Sequence, residues 1–319
     1  MSAELVSLTR PALPLRAPLL LLRELVDLYM GHYTGRDETR TQRLAFWVQQ
    51  LGDVALQDLS DDQVHVGLER LADTNATFYA GKDEAGRPIY HAKRKRLAPA
   101  TINRYATALA AVCTWAIKKR IAPKGWVHPC RSVERRPENN EKTRFLSDDE
   151  RERLLQACKA STWPRLYALV LMALTTGARK GELMGLTWAA VDFERGEASL
   201  ARTKNGSARV LPIVQAVAAE LQRFKGKPDE LVFGSPRCET RGYTFEPRFA
   251  EALRAARIRD FTFHSLRHSC ASMLARNGAT LLEIADVLGH RQLQMTKRYS
   301  HLATSHKRAL VNRVLGAIA

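Results

Sequence analysis

Apolar residues repeat at helical spacing along most of this chain, and one polar stretch interrupts them near the middle. Leu21, Leu25 and Leu28 share one face of a helix, and similar patterns continue to residue 128. Residues 129–144 carry many charges, two prolines and almost no apolar period, which is typical of a linker. The sequence therefore predicts two domains, each long enough to bury its own core.

The first half of the chain predicts a lead-in and a helical domain. Residues 1–18 contain three prolines and no helical period, so we expect an irregular segment there. Residues 19–128 predict an all-helical domain, interrupted by an exposed loop or short hairpin at 81–96. Pro99, Ala100 and Thr101 are expected to open the long last helix of this domain.

The second half, residues 145–319, predicts a domain that combines helices with a small antiparallel sheet. Ser147 precedes three acidic residues, a pattern typical of a helix N-cap and first turn. Residues 197–213 form two strand-like runs joined by a turn at Lys204, Asn205 and Gly206. Helical patterns follow to the end, so the predicted fold class is mainly α.

The charge of the chain indicates a polyanionic partner. The formal net charge is +17, and basic residues outnumber acidic ones by 23 to 16 in residues 1–144 and by 27 to 17 in 145–319. The apolar run at 19–22 is too short for a signal peptide or a membrane span, which favours nucleic acid over a membrane surface. The five cysteines lack metal-ligand spacing, so we expect no bound metal, and their odd number argues against a closed set of disulfides, which favours a reducing cytoplasm.

Several chemically capable side chains occur along the second domain. Arg179 follows a glycine near the start of a helix, a position that aims a cation at an anion. Lys204 lies at the predicted hairpin tip, and His264 and Arg267 project from one helical face at i and i+3. His290 comes directly after a glycine that ends a helix. Each of these motifs occurs by chance in many proteins.

Their order carries more information than any one of them. Together they resemble the signature of the tyrosine recombinase, or phage integrase, family: arginine, lysine, histidine-x-x-arginine, histidine or tryptophan, and tyrosine. The matching residues in this chain are Arg179, Lys204, His264, Arg267, His290 and Tyr299. The resemblance covers residues 145–319 and, more loosely, 19–128. It implies a two-domain DNA clamp, in which a helical domain that binds the core site accompanies an α+β catalytic domain.

The resemblance also implies a reaction. Tyr299 would attack a DNA phosphodiester and form a 3′-phosphotyrosyl intermediate, while Arg179 and Arg267 bind the non-bridging oxygens. His290 would add a hydrogen bond to the phosphate, His264 would act as the acid/base partner, and Lys204 would protonate the leaving 5′ oxygen. No metal or nucleotide cofactor is expected, since the sequence has neither a Walker-type loop nor a cluster of carboxylates.

Double-stranded DNA is the expected partner. Lys93, Arg94, Lys95 and Arg96 are candidate phosphate contacts, although a merely solvated loop explains their charge equally well. The apolar stretch after Tyr299 either packs on its own domain or, as the family implies, docks on a neighbouring protomer of a tetramer on DNA. Accessory proteins that bend DNA or set the direction of recombination are further partners that the resemblance implies.

Other activities share this chemistry. Integration or excision of a prophage or mobile element is the preferred interpretation, and resolution of chromosome dimers is the main alternative. A type IB topoisomerase uses a similar site to relax supercoils, and a non-cutting DNA-binding protein needs neither Tyr299 nor Lys204. The sequence does not identify the DNA site, because recognition combines phosphate contacts, base edges and DNA shape.

Overall fold

A computed structural model describes residues 19–138, 144–200, 208–235, 238–303 and 311–316. The chain divides into two compact units, Met1–Glu141 and Lys142–Ala319. This division falls inside the polar stretch 129–144 that the sequence predicts to be a linker.

Amphipathic helices and a long hairpin make up the first unit. Its elements are α1 (Leu22–Gly31), α2 (Arg40–Leu51), α3 (Asp61–Ala72), β1 (Asn75–Lys82), β2 (Pro88–Arg96) and α4 (Pro99–Lys118). The apolar faces of the helices meet around Trp47, which is fully buried. The indole Nε1 of Trp47 donates a hydrogen bond to the carbonyl of Tyr105 at 2.9 Å, so burial leaves this polar atom satisfied.

The hairpin of the first unit is longer than the sequence predicts. Its antiparallel strands pair Phe78 with His91 and Tyr79 with Tyr90, and every residue of β2 is exposed. A strand with both faces in water has no apolar alternation, and this explains why the pattern predicted only a loop or short hairpin at 81–96.

The predicted linker is held against α4 at Arg136. The side-chain amide of Asn103 donates to the carbonyl of Arg136 at 2.9 Å, and its oxygen accepts from the Arg136 backbone N–H at 2.9 Å. Local hydrogen bonds of this kind order a polar segment that has almost no apolar residues of its own.

The second unit surrounds one almost wholly apolar helix. Its helices are α5 (Asp148–Lys159), α6 (Leu166–Thr176), α7 (Lys180–Met184), α8 (Gln215–Gln222), α9 (Glu246–Ala255), α10 (Phe263–Arg276) and α11 (Leu281–Leu288). Helix α6 packs against α5 and α10 and is buried along most of its length. The predicted N-cap of α5 is confirmed, since Ser147 Oγ accepts from the Glu150 backbone N–H at 3.1 Å.

Short antiparallel sheets complete the second unit. The strands are β3 (Val191–Asp192), β4 (Glu197–Leu200), β5 (Arg209–Pro212), β6 (Gly234–Ser235) and β7 (Cys238–Gly242). Strand β4 pairs with β3 and β5, with Ala198 opposite Leu211, which confirms the two predicted strands. Residues 201–207, which contain Lys204, lie outside the described residues. The fold class is therefore mainly α with small antiparallel sheets, as predicted.

Among the described residues, every helix is too short or too polar to span a membrane.

Candidate active site

The turn between α6 and α7 positions Arg179. Gly177 ends α6 with φ of +59°, and a Cβ at this residue would lie 2.3 Å from Leu288 Cδ2. Arg179 follows as the N-cap of α7, with Glu182 at the third helical position. The Glu182 carboxylate accepts hydrogen bonds from the Arg179 backbone N–H and from its Nη1, both at 2.8 Å. Glu182 therefore fixes the backbone and the guanidinium of Arg179 together.

Arginines converge on the C-terminal end of α11. The last carbonyls of a helix have no partner within the helix and carry the negative end of its dipole, so they attract cations. The bonds run from Arg209 Nη1 to Val287 O (3.3 Å), from Arg267 Nη1 to Leu288 O (2.6 Å) and from Arg179 Nη2 to Gly289 O (3.3 Å). Successive carbonyls thus hold the three guanidiniums immediately before His290.

Arg267 is the most buried of these arginines. Only 4% of its surface is exposed, and its Nη1 also donates to the carbonyl of Gly177 at 2.8 Å. Burial, followed by repulsion from Arg179 and Arg209, lowers its pKa to about 10, so the group stays charged at neutral pH. Glu182 pairs with Arg179 and Arg209 but supplies a single negative charge. The excess of buried positive charge favours an anion as the ligand of this cluster.

The histidines of the site are neutral at neutral pH. His290 Nδ1 is hydrogen bonded to Oγ1 of the buried Thr296 at 2.8 Å. Burial, followed by the positive charge of Arg267 and Arg179, lowers the pKa of His290 to about 4. Burial also lowers the pKa of His264, and Arg267 adds to this effect. A neutral imidazole has one N–H group that can donate a hydrogen bond and one nitrogen that can accept one, which suits a site for a phosphate.

Tyr299 lies in a 3₁₀ segment, Lys297–Ala303, and packs against α10. Only 2% of its surface is exposed, and its hydroxyl is 2.6 Å from Nδ1 of His268. His268 is a site residue that the sequence motifs did not predict. The signal was its spacing, since His264 and His268 are at i and i+4 on one helix and their rings meet at 5.1 Å.

Arg209 is a second site residue that the sequence analysis missed. Its side chain is 12% exposed, and its Nη2 lies 3.2 Å from Glu182 Oε2, within ion-pair distance but outside hydrogen-bond geometry. Its Nε has no hydrogen-bond acceptor among the described residues. A cation in a short strand whose neighbours are Val210, Leu211 and Pro212 was the available signal. Its contacts with α11 join residues 78 positions apart, which spacing rules do not reveal.

The structure places most, but not all, of the predicted site residues in one region of the second unit. The structure brings together Arg179, His264, Arg267, His290 and Tyr299 around α10 and the end of α11, whereas Lys204 lies outside the described residues. The candidate DNA contacts Lys93, Arg94, Lys95 and Arg96 are exposed on β2 of the first unit. The roles of all these residues in binding or catalysis stay predictions.

A cluster of metal-ligand types lies in the first unit. The ligand atoms of Cys113, His128 and Cys130 are within 4.8 Å of one another. However, His128 uses both ring nitrogens in hydrogen bonds: Nδ1 accepts from the Cys130 backbone N–H at 3.0 Å, and Nε2 bonds to the Ala110 carbonyl at 3.1 Å. The hydrogen bond with Cys130, together with burial, raises the pKa of the Cys113 thiol. The ring nitrogens of His128 that would bind a metal ion are thus engaged in hydrogen bonds, which favours a structural role for this cluster.

The neutral histidines make stability depend on pH. The pKa of His268 and of His290 is about 4 in the folded protein, against an ordinary value of 6.5. Between pH 6.5 and 4 these histidines therefore bind protons in the unfolded chain but not in the folded unit. Their contribution to the stability of the second unit is fully present above pH 6.5 and is lost as pH falls towards 4. We expect the second unit to lose on the order of 1 kcal/mol per histidine between pH 7 and 5, after allowance for partial exposure. Calorimetry of the whole chain measures this.

Variants separate this effect from general acid denaturation. His290→Asn should reduce the loss of stability between pH 7 and 5, whereas His65→Asn, at an exposed position on α3, should not. The Glu150 carboxyl, whose pKa Arg144 holds at about 2, titrates below this window. A melting temperature of the second unit that does not change between pH 7 and 5 would contradict the assignment of neutral histidines.

Known proteins resemble this chain in sequence. The model of the family described as the phage integrase family matches residues 144–306, a span that contains all six predicted catalytic residues. The integrase of Salmonella phage P22 is 24% identical over 303 residues, covering 86% of this chain and 74% of that protein. A shufflon-specific DNA recombinase of Escherichia coli is 32% identical over 179 residues, covering 55% of this chain and 44% of that protein.

A solved structure resembles the chain in fold. The Tn1549 transposon integrase, in complex with transposon right end DNA, matches with a TM-score of 0.70 and 18% identity over 92% of this chain and 99% of that chain. At this level of identity the match shows a shared fold.

Proposed function

Because this chain belongs to the phage integrase family, we propose that it is a site-specific DNA recombinase that cleaves and rejoins strands through a 3′-phosphotyrosyl intermediate. The observation that carries the mechanism is the gathering of Arg179, Arg209 and Arg267 beside His290, in the same unit as the buried Tyr299. This arrangement combines a place for one phosphate with a nucleophile.

Binding of the phosphate is the first task of the site. Arg267 Nη1 is engaged by the carbonyls of Gly177 and Leu288, which leaves Nε and Nη2 to donate to non-bridging oxygens. Arg179 offers a second guanidinium, held by Glu182. Fixed positive charge in a poorly hydrated site stabilises the extra negative charge of the pentavalent transition state, which is usually the largest catalytic contribution.

Proton transfer is the second task. Tyr299 must lose a proton to attack phosphorus, and the departing 5′ oxygen must gain one. We assign the second transfer to Lys204 and the first to the histidines of α10, of which the sequence favours His264. Resealing reverses both steps with the 5′ hydroxyl of another strand, so the energy of the phosphodiester is conserved in the phosphotyrosyl bond. The chemistry requires neither a metal nor ATP.

The biological role and partners follow by analogy with the relatives. The relatives include the integrase of Salmonella phage P22, and this likeness supports integration or excision of a prophage or mobile element, with resolution of chromosome dimers as the alternative. Double-stranded DNA in the cytoplasm is the proposed substrate, with Lys93, Arg94, Lys95 and Arg96 on the exposed strand β2 as phosphate contacts. Accessory directionality or DNA-bending proteins are further candidates.

The end of the chain supports assembly on DNA. Val311, Val314 and Leu315 are each at least half exposed, an apolar face that burial would stabilise. We propose that this segment docks on a neighbouring protomer of a tetramer, which would couple assembly to catalysis.

Strand exchange between two DNA molecules tests this function. A footprint of the DNA beside the gene identifies the sequence that the protein protects. We expect the protein to exchange strands between two duplexes that carry this sequence, in buffer with EDTA and without ATP. Relaxation of supercoiled DNA without intermolecular products would instead indicate a topoisomerase. DNA binding without either reaction would indicate a protein that does not cut.

A further inference from the structure

The hydroxyl of Tyr299 is held by one specific side chain. Its oxygen lies 2.6 Å from Nδ1 of His268, and the two ring centroids are 6.0 Å apart. Because Tyr299 is only 2% exposed, water does not compete effectively for this hydrogen bond. The contact joins α10 to a segment 31 residues further along the chain, so it depends on the packed fold of the second unit.

Tyr299 needs a proton acceptor before it can act as a nucleophile. Burial raises the pKa of its hydroxyl above the ordinary value, and the opposing effects of Arg298 and Arg267 are smaller. The phenol is therefore protonated at neutral pH. An attack on phosphorus requires the O–H bond to break as the O–P bond forms.

Among the ionisable groups that face Tyr299 in the described part of the chain, His268 is suited to accept this proton. Arg267 and Arg298 are cations and have no lone pair to offer. Burial raises the pKa of the Cys270 thiol to about 12, so its sulfur keeps its own proton. Burial, followed by His264, Arg298 and Arg267, lowers the pKa of His268 to about 4, which leaves the imidazole neutral.

We propose that His268 is the general base for the cleavage step that the proposed function requires, and that it takes the role for which the sequence favoured its neighbour His264. The Tyr299 hydroxyl donates to Nδ1 of the neutral ring. As the oxygen bonds to phosphorus, its proton moves to Nδ1 and the ring becomes an imidazolium. The P–O5′ bond breaks, and the leaving oxygen takes a proton from the general acid, assigned to Lys204. On resealing, the imidazolium returns its proton to the tyrosine oxygen.

Substrate binding adjusts the strength of this base. The positive charges that weaken His268 as a proton acceptor belong in part to Arg267 and Arg298, beside the proposed phosphate site. A bound phosphodiester brings negative charge that offsets them, so the proton affinity of His268 rises when DNA is in place. The ring centroids of His264 and His268 are 5.1 Å apart, and the two rings are nearly perpendicular. This contact fixes the orientation of the His268 ring and leaves His264 available to the phosphate.

His268→Asn separates general-base catalysis from positioning. The asparagine oxygen replaces Nδ1 as a hydrogen-bond acceptor but does not accept a proton at neutral pH. We expect covalent adduct to form about 100-fold more slowly on a nicked duplex, the usual range for loss of a general base, with DNA affinity unchanged. The wild-type rate should fall as pH decreases below the pKa of His268 in the complex, and this acid limb should be absent in the variant.

Controls distinguish the possible outcomes. His65→Asn, at an exposed position in the first unit, should leave the rate and the pH profile unchanged. A His268→Asn protein that forms adduct at the wild-type rate, with the wild-type pH profile, would overturn the proposal. Absence of adduct in the wild-type protein would contradict the proposed function itself.

A measurement on the unmodified protein avoids any folding defect of the variant. A substrate with sulfur at the bridging 5′ position has a leaving group that needs no protonation, so its cleavage does not depend on a general acid. We expect the acid limb of the rate profile to persist with this substrate, because it reports the base that activates Tyr299. A cleavage rate with this substrate that is constant from pH 8 down to about pH 4, with the protein still folded on DNA, would overturn the assignment to His268.

Discussion

Replacing Arg267 by lysine is expected to lower the rate of DNA cleavage about a thousandfold, a loss of about 4 kcal/mol of transition-state stabilisation. Arg267 Nη1 donates its two N–H groups to the carbonyls of Gly177 and Leu288, which leaves the Nε and Nη2 donors for the phosphate. A lysine ammonium has three donors on one atom, so it cannot satisfy both carbonyls and also bind two phosphate oxygens.

Binding and cleavage should respond differently to this change. The phosphate at the active site is one of many contacts with the duplex, so we expect DNA affinity to fall less than tenfold while single-turnover cleavage falls about a thousandfold. Arg276→Lys, at an exposed position in the last turn of the same helix, serves as the matched control. Wild-type cleavage by a folded Arg267→Lys protein would show that Arg267 only supports the end of α11.

Local patterns predicted the main elements of the second unit. The N-cap at Ser147 and the glycine that ends α11 before His290 follow from hydrogen-bonding and backbone rules that act within a few residues. The strands on either side of 201–207 were predicted for the same reason. These features depend on neighbouring residues, which a single sequence displays directly.

The contacts of the site depend on packing over longer separations. His264 and His268 share one face of α10, and the spacing does not decide which of them meets Tyr299. Arg209 was missed because its partners, Glu182 and the carbonyl of Val287, belong to α7 and α11. Periodicity also failed for the hairpin of the first unit, since both faces of β2 are exposed and show no alternation.

Loss of the tyrosine hydroxyl should have the largest effect of any substitution. Tyr299→Phe keeps the ring that packs among Cys270, Ala271 and Leu288, so the fold should survive with a loss of about 1 kcal/mol for the missing hydrogen bond to His268. No other group takes over the attack in this mechanism. Removal of the nucleophile from a covalent mechanism costs on the order of 10⁶ in rate, which places adduct formation below detection.

A nicked suicide duplex tests directly whether Tyr299 is the nucleophile. After cleavage the short 5′-hydroxyl strand diffuses away, and its loss prevents resealing. We expect the wild-type protein to accumulate a covalent protein–DNA adduct, with the nucleotide attached to the peptide that contains Tyr299 when the adduct is digested and analysed by mass spectrometry. Tyr299→Phe should bind the same duplex and form no adduct. An adduct that persists in Tyr299→Phe, or that maps to another residue, would contradict the account.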